Sequence, residues 1–355
     1  MRRAILVFLA LVLGLGMLAA TAFRIPSVQD RVLRRAVDRA LASPADALFE
    51  EDALRVLLCG SSGPLPHASR AGPCVAVLAG GRFYVVDVGR GSWNRLAGWR
   101  IDGARIGAVL LTHFHSDHIQ ELGEYDLQTW VAGRSAPLRV FGPPGVDRVV
   151  AGFEEAYALD AGYRVAHHGA ELLAPEVGRM DARVVAEPGL VLEEGGLRVT
   201  AFAVDHDPVR PAYGYRFDYR GRSVVVSGDT SKTAGVVEAA RGADVLFHEA
   251  QANHIVAVIG EATRKAGRPR VAKIMSDIPD YHTTPSQAAD VANQADVPLV
   301  VFYHLTPPPP LRLLERMYVR GVSEVRDEGW ILGDDGLLVE LPAGSDAVIR
   351  TSLGG

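Results

Sequence analysis

The sequence predicts an α/β domain built as a four-layer αββα sandwich, two sheets back to back with helices on both outer faces. Three observations predict it. Short apolar runs that suit strands alternate with amphipathic stretches that suit helices, and Gly-, Ser- and Pro-rich turns separate them. The alternation occupies both halves of the chain although the sequence itself does not repeat. Hydrophobic residues make up 48% of the 355 residues against 22% charged, and no low-complexity stretch or linker divides the body. Such a chain can bury a large core within one domain.

The first segment stands apart from this pattern. Ala4 to Phe23 is an unbroken apolar and small-residue run behind Arg2-Arg3, with Ala20-Thr21-Ala22 near its end. A basic start, an apolar middle and a small-residue exit are the parts of a secretory signal peptide. The run is also long enough for an uncleaved membrane anchor. In both cases the arginines stay on the cytoplasmic side, so the remainder is expected to be exported, periplasmic or secreted, with a possible tether to the inner membrane. Ser27–Leu41 sets Val28, Val32, Ala36 and Leu41 among charges, the spacing of a short amphipathic helix. The expected organisation is therefore a signal peptide or anchor over 1–23, a helical linker over 24–53 and the αββα domain over 54–355.

Within the body, Leu54–Leu58, Cys74–Leu78, Phe83–Val88, Ile106–Leu111 and Leu138–Phe141 read as strands, followed by a helix over Val146–Leu159. The second half gives strands at Leu197–Val204, Tyr213–Tyr219, Ser223–Ser227, Val245–His248 and Leu299–Tyr303. Helical patterns at Thr233–Ala240 and Pro285–Gln294 precede the last two strands. Gly162–Gly189 and His254–Tyr281 are expected as loops. Cys59 and Cys74 are the only cysteines. They are either a disulfide closing a loop of about 15 residues, worth up to about 3 kcal/mol, or two buried thiols.

The chemistry is concentrated in Leu111-Thr112-His113-Phe114-His115-Ser116-Asp117-His118. On a strand, His113 and His115 share a face. The turn that follows lets Asp117 and His118 aim at a second point nearby. Imidazole and carboxylate are the usual ligands of hydrolytic zinc, so two foci from one short loop suggest two metals. The second half adds His206, Asp229 and His304, each just beyond a predicted strand. Singly, each is as consistent with a turn or a structural histidine; together with the first cluster they fit one site.

With these residues in place, the chain resembles the metallo-β-lactamase-fold hydrolases, in the branch of ribonuclease Z and the zinc-dependent arylsulfatases. The likeness runs from Leu54 to about His304. It rests on Leu57–Pro66, Asp87-Val88-Gly89-Arg90-Gly91, the Leu111–His118 stretch, Ala201–His206, Ser227–Thr230, His248-Glu249-Ala250, His282-Thr283-Thr284 and His304. The resemblance implies that His113, His115 and His206 hold one zinc ion, and that Asp117, His118 and His304 hold the other, with Asp229 bridging. It implies that Asp87 supports the ligands, that Asp117 takes up a proton, and that His282, oriented by Glu249 or His248, serves the leaving group. Two zinc ions supply hydroxide at neutral pH and stabilise developing charge.

Substrate is less legible. A net charge of −5 gives no general attraction to nucleic acid. The 22 residues between His206 and Asp229 leave no room for the long tRNA-gripping arm of ribonuclease Z. The expected partner is therefore a small-molecule ester, an aryl sulfate or phosphate, with no nucleic acid. His167, His168, Tyr157, Tyr163 and Arg164 are candidate substrate contacts. A ribonuclease Z-like phosphodiesterase is the alternative, and a non-catalytic, membrane-tethered binding protein the second. The oligomeric state stays open, a homodimer among the options.

Overall fold

The computed structural model describes the backbone of residues 2–41 and 44–353. Two compact units separate, Met1–Asp46 and Ala47–Gly355. The first contains helices α1 (Arg2–Ala22) and α2 (Pro26–Leu41). Phe8, Leu13, Leu15, Met17 and Leu18 of α1 are exposed. Other side chains of this helix, Ala20 among them, lie outside the described residues; among the described ones no helix is long and apolar enough to cross a membrane.

The strands of the second unit are, in chain order, β1 (Ala53–Gly60), β2 (Cys74–Ala79), β3 (Arg82–Val86), β4 (Ile106–Leu110), β5 (Leu138–Gly142), β6 (Met180–Val184) and β7 (Gly189–Glu194). They continue as β8 (Leu197–His206), β9 (Val209–Tyr219), β10 (Arg222–Val226), β11 (Val245–Gln251), β12 (Leu299–Thr306), β13 (Trp330–Leu332), β14 (Leu337–Pro342) and β15 (Ile349–Ser352). Among the described residues they form two sheets, ordered β15-β14-β1-β2-β3-β4-β5-β6 and β13-β12-β11-β10-β9-β8-β7.

Side-chain alternation explains the layering. Val224 and Val226 of β10 and Val245 and Phe247 of β11 point into the core between the sheets, where they meet residues such as Val56, Val75 and Val86. Their neighbours Val225 and Leu246 point the other way, onto Ala288, Ala289 and Val291. Those residues belong to a helix over Pro285–Gln294, whose start is fixed by Thr284 and Gln287 in a reciprocal capping box. Strands covered on both faces read as continuous apolar runs, which is why β10, β11 and β12 are so plain in the sequence.

The helices of this unit are α3 (Ser92–Gly98), α4 (Ser116–Ile119), α5 (Leu122–Val131), α6 (Val146–His168), α7 (Ala234–Ala240), α8 (Asn253–Lys265), α9 (Pro269–Asp277), α10 (Pro285–Gln294), α11 (Arg312–Tyr318) and α12 (Val322–Val325). Both expected loops are corrected here. Much of Gly162–Gly189 is the end of α6 and strand β6; much of His254–Tyr281 is the α8–α9 hairpin. In α6, Tyr157, Ala161 and Val165 are partly buried against Leu127, Trp130 and Leu173 while most of the helix is solvated, so its apolar period is weak. In the hairpin, Ala272 and Met275 pack close to Gly260, a contact between segments that neither periodicity reveals.

The two cysteines form a disulfide, Cys59–Cys74, that joins the end of β1 to the start of β2. Strand direction then sets the position of the chemistry. β3, β4 and β5 are mutually parallel, as are β10, β11 and β12. β8 is two antiparallel steps from β10 and so runs the same way as β10. The loops following β3, β4 and β10 thus carry Asp87, His113 and Asp229, while His206 ends β8 and His304 lies near the end of β12 at the same edge.

Candidate metal centre

After β4 the chain leaves the sheet, so His113 and His115 do not share a strand as expected. They still converge, His113 Nε2 lying 2.9 Å from His115 Nδ1. The His118 N–H donates to the His115 carbonyl, and this turn starts α4 and directs Asp117 and His118 the other way. His206 Nε2 lies 3.3 Å from His115 Nδ1. The donor atoms of His113, His115, His206 and Asp229 form one compact set, and those of Asp117, His118 and His304 a second.

Asp229 stands between the sets. Its Oδ2 is 3.3 Å from Nε2 of both His118 and His304, and 4.0 and 3.9 Å from Nε2 of His113 and His206. In the second set, His118 and His304 Nε2 atoms are 3.2 Å apart, with Asp117 Oδ2 3.3 Å from His304. Ligands about 2.0–2.1 Å from a tetrahedral zinc stand roughly 3.3 Å from one another, which is the spacing found here. Asp229 Oδ1 is buried and has no hydrogen-bond partner, an expensive arrangement for a carboxylate unless a cation compensates it. The residues fit a metal.

Burial and charge say the same. His113, His118, His206, Asp229 and His304 are all buried, whereas His115 is exposed and Asp117 half-open, which leaves one side for substrate. Burial alone would make His118 hard to protonate, yet Asp229, Asp87 and Asp117 raise its pKa well above the ordinary histidine value. This point therefore attracts positive charge. For Asp117 burial also opposes ionisation, but His118 and His304 hold its carboxyl down to about 2. Asp229 is likewise held well below the usual range, against its burial, by His304 and His118. His113, among other imidazoles, is pushed well down by burial and stays neutral, the form that can coordinate.

A second ring of contacts fixes the ligands. His118 Nδ1 is 2.8 Å from Asp87 Oδ2, and Asp87 also accepts from the Thr112 N–H and hydroxyl. His206 Nδ1 donates to the Tyr281 carbonyl. Such partners set the tautomer and orientation of a ligating imidazole. Asp87 and His304 both have positive φ, 58° and 47°. His304 is the extra residue of a bulge: Tyr303 pairs with Glu249 and Leu305 with Ala250, and the bulge turns His304 inward.

His282 lies beside the cluster, a ring nitrogen within 4.8 Å of donor atoms of Asp229 and His304. Its Nδ1–H donates to Glu249 Oε1 at 3.0 Å, and burial notwithstanding, that carboxylate raises its pKa. Glu249 also accepts from the Thr283 and Thr230 N–H groups. His248 instead bonds the Glu249 carbonyl and is buried away from this group. His167 and His168 stack edge to face on each other at the exposed end of α6 and belong to neither donor set. Sequence reasoning missed Thr112 and Tyr281, the latter with its ring 4.8 Å from that of His206. Their adjacency to His113 and His282 was the available signal.

With this geometry in view, comparison with known proteins is informative. The Beta-lactamase superfamily domain model matches residues 87–305. A protein named ribonuclease Z from Mycobacterium avium is 39% identical over 257 residues, covering 72% of this chain and 86% of the relative. One from Mycolicibacterium paratuberculosis is 38% identical with the same coverage. Among solved structures, the metallo-beta-lactamase fold protein YhfI of Bacillus subtilis superposes with a TM-score of 0.58 at 17% identity, over 81% of this chain and 99% of that one. Human tRNase Z, short form, superposes with a TM-score of 0.57 at 18% identity, over 81% and 99%.

The ribonuclease Z relatives overturn two expectations: the reading as an exported hydrolase of aryl sulfate or phosphate esters, and the choice of a small-molecule ester over nucleic acid as partner. The physical reason is that whole-chain charge averages over patches; a balance of −5 does not prevent a local cationic surface.

Proposed function

The chain belongs to the beta-lactamase superfamily as a metal-dependent hydrolase of its ribonuclease Z-like branch, and from this we propose that it cleaves RNA phosphodiester bonds with two zinc ions. The observation that carries the reading is Asp229 Oδ2, placed between two sets of donors in a chain with ribonuclease Z relatives. His113, His115 and His206 would hold one ion, Asp117, His118 and His304 the other, and Asp229 both. Bound zinc lowers the pKa of water to near neutrality and stabilises charge on phosphoryl oxygens.

The chain's own residues do the rest. Asp117, anionic at neutral pH and half-open to solvent, is placed to receive a proton at the mouth of the site. His282, whose pKa the Glu249 carboxylate raises against its burial, can donate when protonated from Nε2 to the departing ribose oxygen, because its Nδ1 is engaged. Buried His118 and His206 keep fixed orientations through Asp87 and the Tyr281 carbonyl.

Zinc-loaded protein incubated with a precursor tRNA carrying a 3′ trailer is expected to release the trailer, and chelation is expected to stop it. Absence of cleavage on any RNA, with aryl sulfate turned over instead, would overturn the assignment. We also propose that Ala4–Phe23 acts as an export signal or anchor, supported by its apolar run behind Arg2-Arg3. Its side of the membrane decides which RNA the domain meets.

A further inference from the structure

We infer that the tip of the α8–α9 hairpin grips the RNA backbone at a distance from the scissile bond, an inference that rests on the phosphodiesterase reading. Within ten positions the hairpin carries Arg264, Lys265, Arg268, Arg270 and Lys273, all exposed, in a chain whose net charge is −5. Lys265 and Lys273 pair with Glu261 and Asp277 along their own helices. Among the described residues Arg264, Arg268 and Arg270 have no carboxylate partner, so their guanidinium forks are open to phosphate.

The hairpin is joined directly to the metal centre. It begins two residues after Gln251, whose N–H donates to the Thr283 carbonyl and whose side-chain amide donates to the Ile278 carbonyl. It ends at Tyr281, whose carbonyl orients His206 and whose neighbour is His282. At 13 residues α8 is about 20 Å long. Its cationic end is thus that far along the chain from the residues bonded to the site, beyond the reach of a small diester. A polyanion long enough to touch both gains affinity; a small ester does not. Val258, Val271 and Ile274 are also exposed on the hairpin, so an anionic lipid surface is the competing occupant. The unpaired arginine cluster beside a phosphodiesterase centre favours RNA.

The test compares the full-length zinc protein with R264A/R268A/R270A. The probes are a precursor tRNA, bis(4-nitrophenyl) phosphate and phosphatidylglycerol vesicles. The variant is expected to fold normally, since the three sites are exposed, and to bind precursor tRNA at least tenfold more weakly. Its slope of log affinity against log salt should be shallower by about two units, on the order of one for each phosphate no longer neutralised. KM for RNA should rise with kcat little changed, and turnover of bis(4-nitrophenyl) phosphate should stay within twofold. Equal RNA affinity of variant and wild type, or loss of vesicle binding alone, overturns the grip. A wild type that turns over the small diester but neither binds nor cleaves RNA overturns the choice of RNA as substrate as well. RNA cleavage that is indifferent to the three arginines overturns only the grip.

Discussion

At the scale of single residues, Asp229 and His282 separate metal holding from proton transfer. Asp229→Asn keeps the shape of the side chain but removes the charge that lies within 4.0 Å of four imidazole nitrogens. Metal content and activity are both expected to fall; two bound metals and normal turnover in this variant would refute the bridging role. His282→Ala should retain both metals, because seven other donors complete the two sets. Its turnover should drop by roughly 10²–10⁴-fold for poor leaving groups if it acts as a general acid, and little for a nitrophenolate. A uniform loss across diesters of graded leaving-group pKa would make it a positioning residue, and loss of metal would make it a ligand. These seven residues were legible because their types are unusual at strand ends. Thr112 and Tyr281 were not, since a threonine or tyrosine carries no metal signature and acts here through a hydroxyl and a backbone carbonyl.

At the scale of elements, strands flanked on both faces mostly announced themselves as apolar runs, whereas β6, β7, β13 and β15, at sheet edges, did not, nor did β14 beside β15. The disulfide belongs to this scale. Cys59–Cys74 closes 15 residues between β1 and β2, and the loop it ties down passes the metal centre: a Cβ on Gly63 would stand 3.1 Å from the His304 ring. C59A/C74A is expected to lower unfolding free energy by about 3 kcal/mol, read as a lower urea midpoint. An unchanged midpoint would mean that packing alone holds the loop.

At the scale of the whole molecule, the donors come from both sheets: His113, His115, Asp117 and His118 follow β4, while His206, Asp229 and His304 belong to β8, β10 and β12 or their ends. A metal held by these residues would therefore tie one sheet to the other. Anything that binds the folded form alone stabilises it by mass action, by about 2.7 kcal/mol at a hundredfold excess over Kd. Zinc at that level should raise Tm and a chelator should lower it; a Tm indifferent to both would exclude the site. A periplasm-only reporter fused after Ser27 is expected to be active if Ala4–Phe23 engages the export machinery. A reporter that stays inactive in the cytosol would refute export and place the domain with precursor tRNA.

The sequence by itself determined the sandwich, and it supplied the candidate donor residues in their order, because apolar periodicity and ligand chemistry are local properties that survive without coordinates. Tertiary structure alone decided three things. It paired Cys59 with Cys74, since the β1–β2 register brings residues 15 apart into contact. It turned His304 inward through a bulge that only pairing with β11 defines. It folded an expected loop into the α8–α9 hairpin, whose apolar contacts lie between its two helices and whose arginines gather at its tip. Each depends on which distant residues become neighbours, information that exists only once the chain has closed on itself.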